Sequence, residues 1–149
     1  MNELDAVEVL LVEDNPQDAE LTMRALKKRH LANHLILVED GAAALDFMFG
    51  QGAYAERNPS HQPKVVLLDL KLPKLNGLEV LRALKENAQT RAVPVIVVTS
   101  SAQDPDIETA YRLGANSYVV KPVSFDAFSE AMTTLGYYWL LINQPATAR

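Results

Sequence analysis

Four short apolar segments of this chain each lead to a side chain that can take part in chemistry. The first is followed by the acidic pair Glu13 and Asp14 and the second by Asp69, while the third and fourth end at Thr99 and Lys121. If the segments are parallel strands of one sheet, their carboxyl ends lie side by side, and open α/β sheets bind ligands outside those ends. The pattern therefore predicts three carboxylates, a hydroxyl and an ammonium around one small cavity.

The three carboxylates of this predicted cavity require a positive charge. At such short distances Glu13, Asp14 and Asp69 cannot all stay ionised without a cation. A hard, all-oxygen ligand set with few side chains suits Mg²⁺ that keeps several waters. Lys121 supplies a second positive charge, and because a buried unpaired lysine is costly, we expect it to pair with Asp69.

The segments that carry these side chains follow the pattern of a βαβ series. Apolar β-branched runs alternate with helical patterns, which predicts the α/β class with a doubly wound, five-stranded parallel sheet. The predicted strands are Val7–Val12, Leu35–Val38, Val65–Leu68, Val95–Thr99 and Ser117–Val120. The predicted helices run from Pro16 to about Arg29, from Ala42 to Phe49, from Leu78 to about Glu86, from Pro105 towards Gly114, and onward from the cap Ser124.

Three further segments complete the predicted organisation. Residues Gly50–Pro63 contain several glycine and proline breaks and are predicted to form a long loop. Residues 143–149 are predicted to be a flexible tail. The last helix carries an apolar stripe formed by Phe125, Phe128, Met132, Leu135, Trp139 and Ile142. Its first half is predicted to cover the sheet, whereas the part beyond Gly136 is predicted to extend past the sheet.

The bulk composition limits the classes of protein to which the chain can belong. At 149 residues we expect one domain spanning residues 1–149, and an apolar fraction of 48% is ample for its core. The absence of cysteine excludes thiolate catalysis and zinc–thiolate sites. A net charge of −5 argues against nucleic acid as the main partner. With no apolar run of bilayer length and no signal-peptide pattern at the first residues, we expect a cytoplasmic protein that makes no membrane contact.

Together, the motifs resemble the receiver domain of two-component response regulators. The resemblance rests on the acidic pair and on the segments VVLLDLKLP, VIVVTSS and SYVVKPV. Thr99 follows Asp69 by 30 residues and Lys121 follows Thr99 by 22, which is similar to the spacing in that family. Each motif alone is a weak signal, whereas all four in this order are specific. The resemblance extends from about Glu8 to Tyr138.

The resemblance implies a flavodoxin-like receiver fold and a phosphoacceptor rather than an enzyme. Asp69 would accept a phosphoryl group from a sensor histidine kinase and lose it by slow autodephosphorylation. Thr99 would offer its hydroxyl to a phosphoryl oxygen, and Lys121 would supply a point charge to the same group.

The same resemblance implies how a metal ion would be bound. Mg²⁺ would be held by Asp14, by Asp69 and by the backbone carbonyl of Lys71, with Glu13 acting through water. Members of the family often carry two aspartates at the acidic pair, so Glu13 is a mild departure from the family pattern.

Other positions resemble the family's switch and tuning positions. Tyr118 matches the aromatic switch residue, which would turn inward when Thr99 moves towards the phosphoryl group, although an ordinary strand tyrosine explains it equally well. Lys71 and Ser101 match the positions that tune dephosphorylation. The resemblance also implies a cis Lys121–Pro122 peptide bond.

Other functions fit the motifs less well. A nucleotide-binding enzyme needs glycines after the first strand, where this chain has residues 13–16 with the sequence EDNP. A phosphatase of the haloacid dehalogenase type needs a second acid at the position of Lys71. A receiver-shaped interaction module, or a phosphate sink without an output partner, remains as an alternative.

Within the family, the chain resembles the small stand-alone response regulators that are associated with phytochromes. The segments ALDF and GAYAERNP, the long loop and the YYWL sequence in the last helix carry this resemblance. It implies a bacteriophytochrome as the kinase. Because the receiver resemblance covers nearly the whole chain, we expect the output to be a protein partner that recognises the phosphorylated surface.

The end of the last helix predicts a homodimer. Residues Tyr137–Ile142 leave almost no polar face, and exposed apolar patches usually mark interfaces. A symmetric contact through this helix and the fifth strand would involve Tyr137, Tyr138 and Trp139, with Tyr118 nearby. Alternatively, Gly136 ends the helix and the tail folds back onto its own domain.

Overall fold

The computed structural model describes residues 3–146 and contains a five-stranded sheet with helices on both faces. The strands are β1 (Val9–Val12), β2 (Leu35–Val38), β3 (Val65–Leu68), β4 (Val95–Thr99) and β5 (Ser117–Val120). All neighbouring strands are parallel, in the order β2-β1-β3-β4-β5. This confirms the predicted flavodoxin-like receiver fold, with the correction that β1 begins at Val9 rather than Val7.

Five helices connect and follow the strands. They are α1 (Pro16–Lys28), α2 (Gly41–Phe49), α3 (Gly77–Glu86), α4 (Asp104–Arg112) and α5 (Phe125–Gly136). Asn15 caps α1 by accepting hydrogen bonds from the N–H groups of Gln17 and Asp18, and Ser124 caps α5 in the same way. These caps place the start of α1 directly after the acidic pair that ends β1.

The sheet separates two apolar cores. On one face, α1 and α5 pack on the sheet around Leu26, Phe128 and Met132. On the other face, α2 and α3 pack around Phe47 and Leu81. Because both faces of the sheet are covered, β1, β3 and β4 are buried along their whole length. The carboxyl edge of the sheet is therefore the place where polar side chains of these strands meet solvent.

The last helix continues beyond α5, as the sequence predicted. Gly136 keeps helical geometry and the chain proceeds as a π-helical turn over Tyr137–Ile142, so the alternative in which Gly136 ends the helix is wrong. A Cβ atom on Gly136 would lie 2.5 Å from the side chain of Leu26 and 2.9 Å from that of Leu31. A side chain at position 136 would therefore displace the ends of the Leu26 and Leu31 side chains, which pack against α5 there.

The prediction that the first half of the apolar stripe covers the sheet is correct for Phe128 and Met132, which are buried, and wrong for Phe125, which is 64% exposed. Beyond Gly136, Ile142 is 65% exposed, as predicted. Leu140, which is not part of the stripe, is buried, and Trp139 is half-buried. A π-helical turn has i→i+5 hydrogen bonds, here between Asn143 N–H and the Tyr138 carbonyl, and so shifts the phase of the apolar face.

The long loop between α2 and β3 is organised by a buried arginine. Arg57 is 2% exposed and donates hydrogen bonds to the carbonyl oxygens of Phe47 at 2.8 Å and His61 at 2.7 Å. Its guanidinium also lies 4.2 Å from the centre of the Phe47 ring. The loop is therefore attached to the end of α2 by Arg57 and also by Gln62, whose Nε2 donates to the Met48 carbonyl at 3.0 Å.

Other expectations about the chain have mixed outcomes. The Lys121–Pro122 bond is trans, so the expected cis bond is wrong, and the trans form is the one that X–Pro bonds intrinsically prefer. The predicted tail begins at Asn143, where the helix ends, but residues 147–149 lie outside the described residues.

The hydropathy of the helices bears on membrane insertion. Among residues 3–146, none of the helices combines the length and the apolar character that crossing a bilayer requires.

Candidate functional site

The carboxyl ends of the central strands bring the predicted site residues together. Glu13 follows β1, Asp69 follows β3, Thr99 ends β4 and Lys121 follows β5, and these strands are neighbours in the sheet. Glu13, Asp69 and Thr99 are buried, with exposures of 4%, 7% and 0%. Asp14 is exposed at the mouth of the site.

Lys121 is bound by three carboxylates at once. Its Nζ lies 2.7 Å from Glu13 Oε1, 2.9 Å from Asp69 Oδ2 and 2.9 Å from Asp18 Oδ2. An ammonium has three N–H donors, so each donor has its own carboxylate. The expected Lys121–Asp69 pair is present. The contact with Asp18, a residue of the first turn of α1, was not predicted.

The three groups at the centre of the site have shifted pKa values. Burial raises the pKa of Glu13 to about 7, although the hydrogen bond from Lys121 opposes this shift. Burial also disfavours ionised Asp69, but the hydrogen bond and charge of Lys121 outweigh burial and hold the pKa of Asp69 below its ordinary value. Burial acts to lower the pKa of Lys121, yet the hydrogen bonds to Asp69, Glu13 and Asp18 raise it above its ordinary value. At neutral pH the site therefore holds an ionised Asp69 beside a charged Lys121.

The acidic residues have the donor atoms and spacing of a metal site. One carboxylate oxygen each from Glu13, Asp14 and Asp69 lie within 4.8 Å of one another. Two of the three residues are buried, and their oxygens are hard ligands of the kind that Mg²⁺ prefers. The residues present thus fit a small divalent cation.

The backbone around Asp69 is held in place by Gly77 at the start of α3. A Cβ atom on Gly77 would lie 2.3 Å from the Asp69 carbonyl oxygen, and the Gly77 N–H donates to the Leu70 carbonyl at 2.8 Å. On the other side, the Lys71 N–H donates to Asp69 Oδ1 at 3.3 Å. The Asp69 carboxylate is therefore fixed by its own loop as well as by Lys121.

A second group of contacts links the site to α4 and β5. The Ser101 N–H donates to Thr99 Oγ1 at 3.4 Å, and the Tyr118 hydroxyl donates to the Ser101 carbonyl at 2.9 Å. The Ser101 hydroxyl donates to Asp106 of α4 at 2.5 Å. Thr99 and Tyr118, the predicted switch pair, are thus connected through Ser101.

The site opens into a wide cleft of about 640 Å³. Asp14, Asp18, Asp69, Lys71 and Lys121 are among the residues that line it. The cleft admits a phosphoryl-sized group to Asp69 from solvent, and its side chains include both signs of charge.

Most of the sequence also matches a known family. Residues 9–133 match the model of the response regulator receiver domain, and the chain belongs to this family. Receiver-domain response regulators are signalling proteins of two-component systems.

Two relatives cover most of the chain. Probable methanogenesis regulatory protein FilR2 of Methanothrix harundinacea is 40% identical over 136 residues, which cover 91% of this chain and 85% of FilR2. Response regulator Rcp1 of Synechocystis sp. is 36% identical over 132 residues, which cover 89% of this chain and 88% of Rcp1. The similarity therefore extends beyond the site motifs.

Solved structures of response regulators also resemble the chain over most of its length. The Mn²⁺-bound form of Rcp1 has a TM-score of 0.87 at 33% identity and covers 94% of this chain and 99% of its own. The phosphorylated cyanobacterial phytochrome response regulator RcpA has a TM-score of 0.87 at 30% identity, covering 93% and 97%. The bacteriophytochrome response regulator AtBRR is 48% identical with a TM-score of 0.72, covering 93% and 98%. The chain is thus similar to phytochrome response regulators in both sequence and structure.

Proposed function

We propose that the protein is a stand-alone, cytoplasmic response regulator that accepts a phosphoryl group on Asp69 from a sensor histidine kinase. The observation that carries this proposal is the placement of Asp69. Its carboxylate is ionised, lies at the base of an open cleft and is held by a charged lysine 2.9 Å away. An ion pair in the core would serve stability alone, whereas this pair lies where a substrate can reach it.

The geometry supports direct transfer to Asp69. An oxygen of the carboxylate attacks the phosphorus of a phosphohistidine, the new O–P bond forms, and the N–P bond breaks with its electron pair left on the imidazole. Lys121 and the Thr99 hydroxyl would bind the oxygens of the transferred group, which would offset its negative charge. Glu13, Asp14, Asp69 and the backbone carbonyl of Lys71 would hold Mg²⁺. When bound, the ion supplies further neutralisation of the charge on the transferred group.

The proposal is tested with a small phosphodonor. Incubation with acetyl phosphate and Mg²⁺ is expected to add one phosphoryl group to the intact protein, as seen by mass spectrometry. The adduct should be stable in acid and labile in base, as expected of an acyl phosphate. Asp69→Asn should abolish labelling because it removes the nucleophile.

The matched control for this test is Asp46→Asn, which changes a half-buried aspartate of α2 away from the site. This variant should be labelled like the wild-type protein. Absence of labelling in the wild-type protein would favour the alternative of a receiver-shaped interaction module. Equal labelling of Asp69→Asn would place the phosphoryl group elsewhere.

The lifetime of the phosphorylated state is proposed to depend on Lys71 and Ser101. Lys71 is exposed and lines the cleft beside Asp69, while Ser101 connects Thr99 to α4. Lys71→Ala or Ser101→Ala is expected to change the slow autodephosphorylation rate by roughly threefold or more, since each alters access or order beside the acyl phosphate. Decay of the labelled protein measures this, and wild-type rates in both variants would contradict the role of these two residues.

The output is proposed to be a phosphorylation-dependent protein surface. When Thr99 moves to a phosphoryl oxygen, the Ser101 N–H loses its acceptor, and the contact between Ser101 and Tyr118 changes with it. Tyr118 and α4 would then present a different surface to a partner protein. No nucleic-acid partner is proposed, because the chain carries a net charge of −5.

A phytochrome-type kinase is the proposed donor. The similarity to RcpA and to AtBRR supports this pairing, since both are phytochrome response regulators by name. Phosphotransfer from a panel of purified histidine kinases is expected to be fastest from a bacteriophytochrome. Equal transfer rates across the panel would refute the pairing without affecting the phosphoacceptor role.

A homodimer through the last helix and β5 is also proposed. Tyr137 and Tyr138 are 42% and 47% exposed, and Leu141 and Ile142 are more exposed still, so the helix end presents an apolar surface. Trp139 packs partly against its own core and contributes only its exposed part. Tyr118 lies at the edge strand β5, and a second copy of the chain is the proposed occupant of this surface.

A further inference from the structure

Asp18 lies in the site, although it belongs to none of the motifs that predicted the site. It is in the first turn of α1, where an acidic residue is favoured by the helix dipole. The dipole alone does not explain its contact, because Asp18 Oδ2 lies 2.9 Å from Lys121 Nζ. The Asp18 side chain is 25% exposed, compared with 5% for Glu13 and 9% for Asp69, so it is the most accessible of the three partners of Lys121.

The three partners of Lys121 differ in their relation to the metal site. Glu13 and Asp69 belong to the acidic cluster that fits a cation, whereas Asp18 lies outside it. A cation bound by that cluster partly neutralises the carboxylates of Glu13 and Asp69, and this weakens their electrostatic attraction for the Lys121 ammonium. The contact with Asp18 is then the strongest one that remains to the ammonium.

The arrival of a phosphoryl group creates competition for Lys121. All three N–H donors of the ammonium are already used in the resting protein, so a phosphoryl oxygen gains a donor only when one carboxylate releases it. In addition, the charge of Asp18 lies beside the cleft and repels an anionic group there. Both effects weaken the binding of a phosphoryl group in the cleft.

We propose that Asp18 is a positioning residue for Lys121 that holds the ammonium in the resting state and competes with the phosphoryl group for it. Asp18 thereby sets how readily the site accepts an anionic group, and it also increases the affinity of the acidic cluster for a cation. This inference rests on the proposed phosphoacceptor role of Asp69.

The test compares the binding of an anion and a cation to purified protein. Beryllium trifluoride, which mimics a phosphoryl group on an aspartate, is titrated at saturating Mg²⁺ and followed by fluorine NMR, while Mg²⁺ alone is titrated by calorimetry. Asp18→Asn keeps an oxygen acceptor and removes the charge. It is expected to bind beryllium trifluoride about fivefold more tightly and Mg²⁺ about twofold more weakly. A merely structural defect would weaken both.

Two further variants make the test specific. Glu20→Gln removes the same charge from an exposed position of the same helix, where Glu20 pairs with Arg24, and is expected to bind both ligands like the wild-type protein. Asp18→Ser, a second neutral variant that is well tolerated near a helix start, should reproduce the effect of Asp18→Asn on both ligands.

The outcomes separate this inference from the phosphoacceptor proposal. If the wild-type protein binds beryllium trifluoride and both neutral variants bind it no more tightly, the role of Asp18 is overturned while that of Asp69 stands. An equal shift in Glu20→Gln also overturns it, because the effect is then one of net charge. If the wild-type protein binds no beryllium trifluoride, the phosphoacceptor proposal and this inference fail together.

Discussion

Lys121→Met is expected to lower the free energy of unfolding by about 3 kcal/mol in buffer without divalent cations. The variant leaves Glu13 and Asp69 buried without the ammonium that both contact in the wild-type protein. Methionine fills a similar volume, so the loss reports mainly on uncompensated charge rather than on a cavity. Chemical denaturation in the presence of EDTA measures it.

Mg²⁺ should restore much of this loss. A cation bound by the acidic cluster replaces the missing positive charge, and it no longer competes with Lys121 for the same carboxylates. The increase in Tm on adding Mg²⁺ is therefore expected to be larger in Lys121→Met than in the wild-type protein. Lys28→Met, which removes an exposed lysine from the end of α1, is the control and should show the wild-type response. Equal Mg²⁺ responses in all three proteins would show that Lys121 and the cation do not share ligands.

Leu141→Glu is expected to convert the proposed dimer into a monomer. Leu141 is 61% exposed within the chain, and Tyr138 and Ile142 of the same helical turn are also exposed. A glutamate at a twofold contact would bury two like charges near one another without partners, which costs more than a small apolar interface provides. Light scattering at micromolar concentration, with and without phosphorylation, measures the change.

The control for the dimer is Ala42→Glu, which adds the same charge at an exposed apolar position of α2. This variant should keep the wild-type mass in solution. A wild-type protein that scatters as a single chain in both phosphorylation states would end the dimer proposal. A Leu141→Glu variant that remains dimeric would move the interface away from the last helix.

The sequence was sufficient to predict the sheet and the meeting of its polar ends. Short β-branched runs and capping residues such as Asn15 and Ser124 are local signals, and parallel strands must share one carboxyl edge. For this reason the contact between Asp69 and Lys121 could be expected from residues far apart in the chain.

The unpredicted features all depend on details of packing. The contact of Asp18 with Lys121 requires the helix start to lie over the end of β5, and sequence spacing says nothing of this. The burial of Arg57 depends on how one loop closes against the carbonyl groups at the end of α2. The burial of Leu140, which lies outside the regularly spaced apolar stripe, follows from the change to π-helical pitch, which a pattern of constant period cannot show.

The α1–α5 pair and α4 differ in how closely they are packed. At Gly136, α5 lies against Leu26 and Leu31 so closely that even one added carbon would collide with them. Any sliding of α1 against α5 would therefore break close contacts along the helix pair. In contrast, α4 has only Ala110 fully buried between Asp104 and Arg112. Local unfolding and amide exchange should require less free energy in α4. A conformational change that begins at Asp69 is therefore expected to alter α4 more readily than the α1–α5 pair.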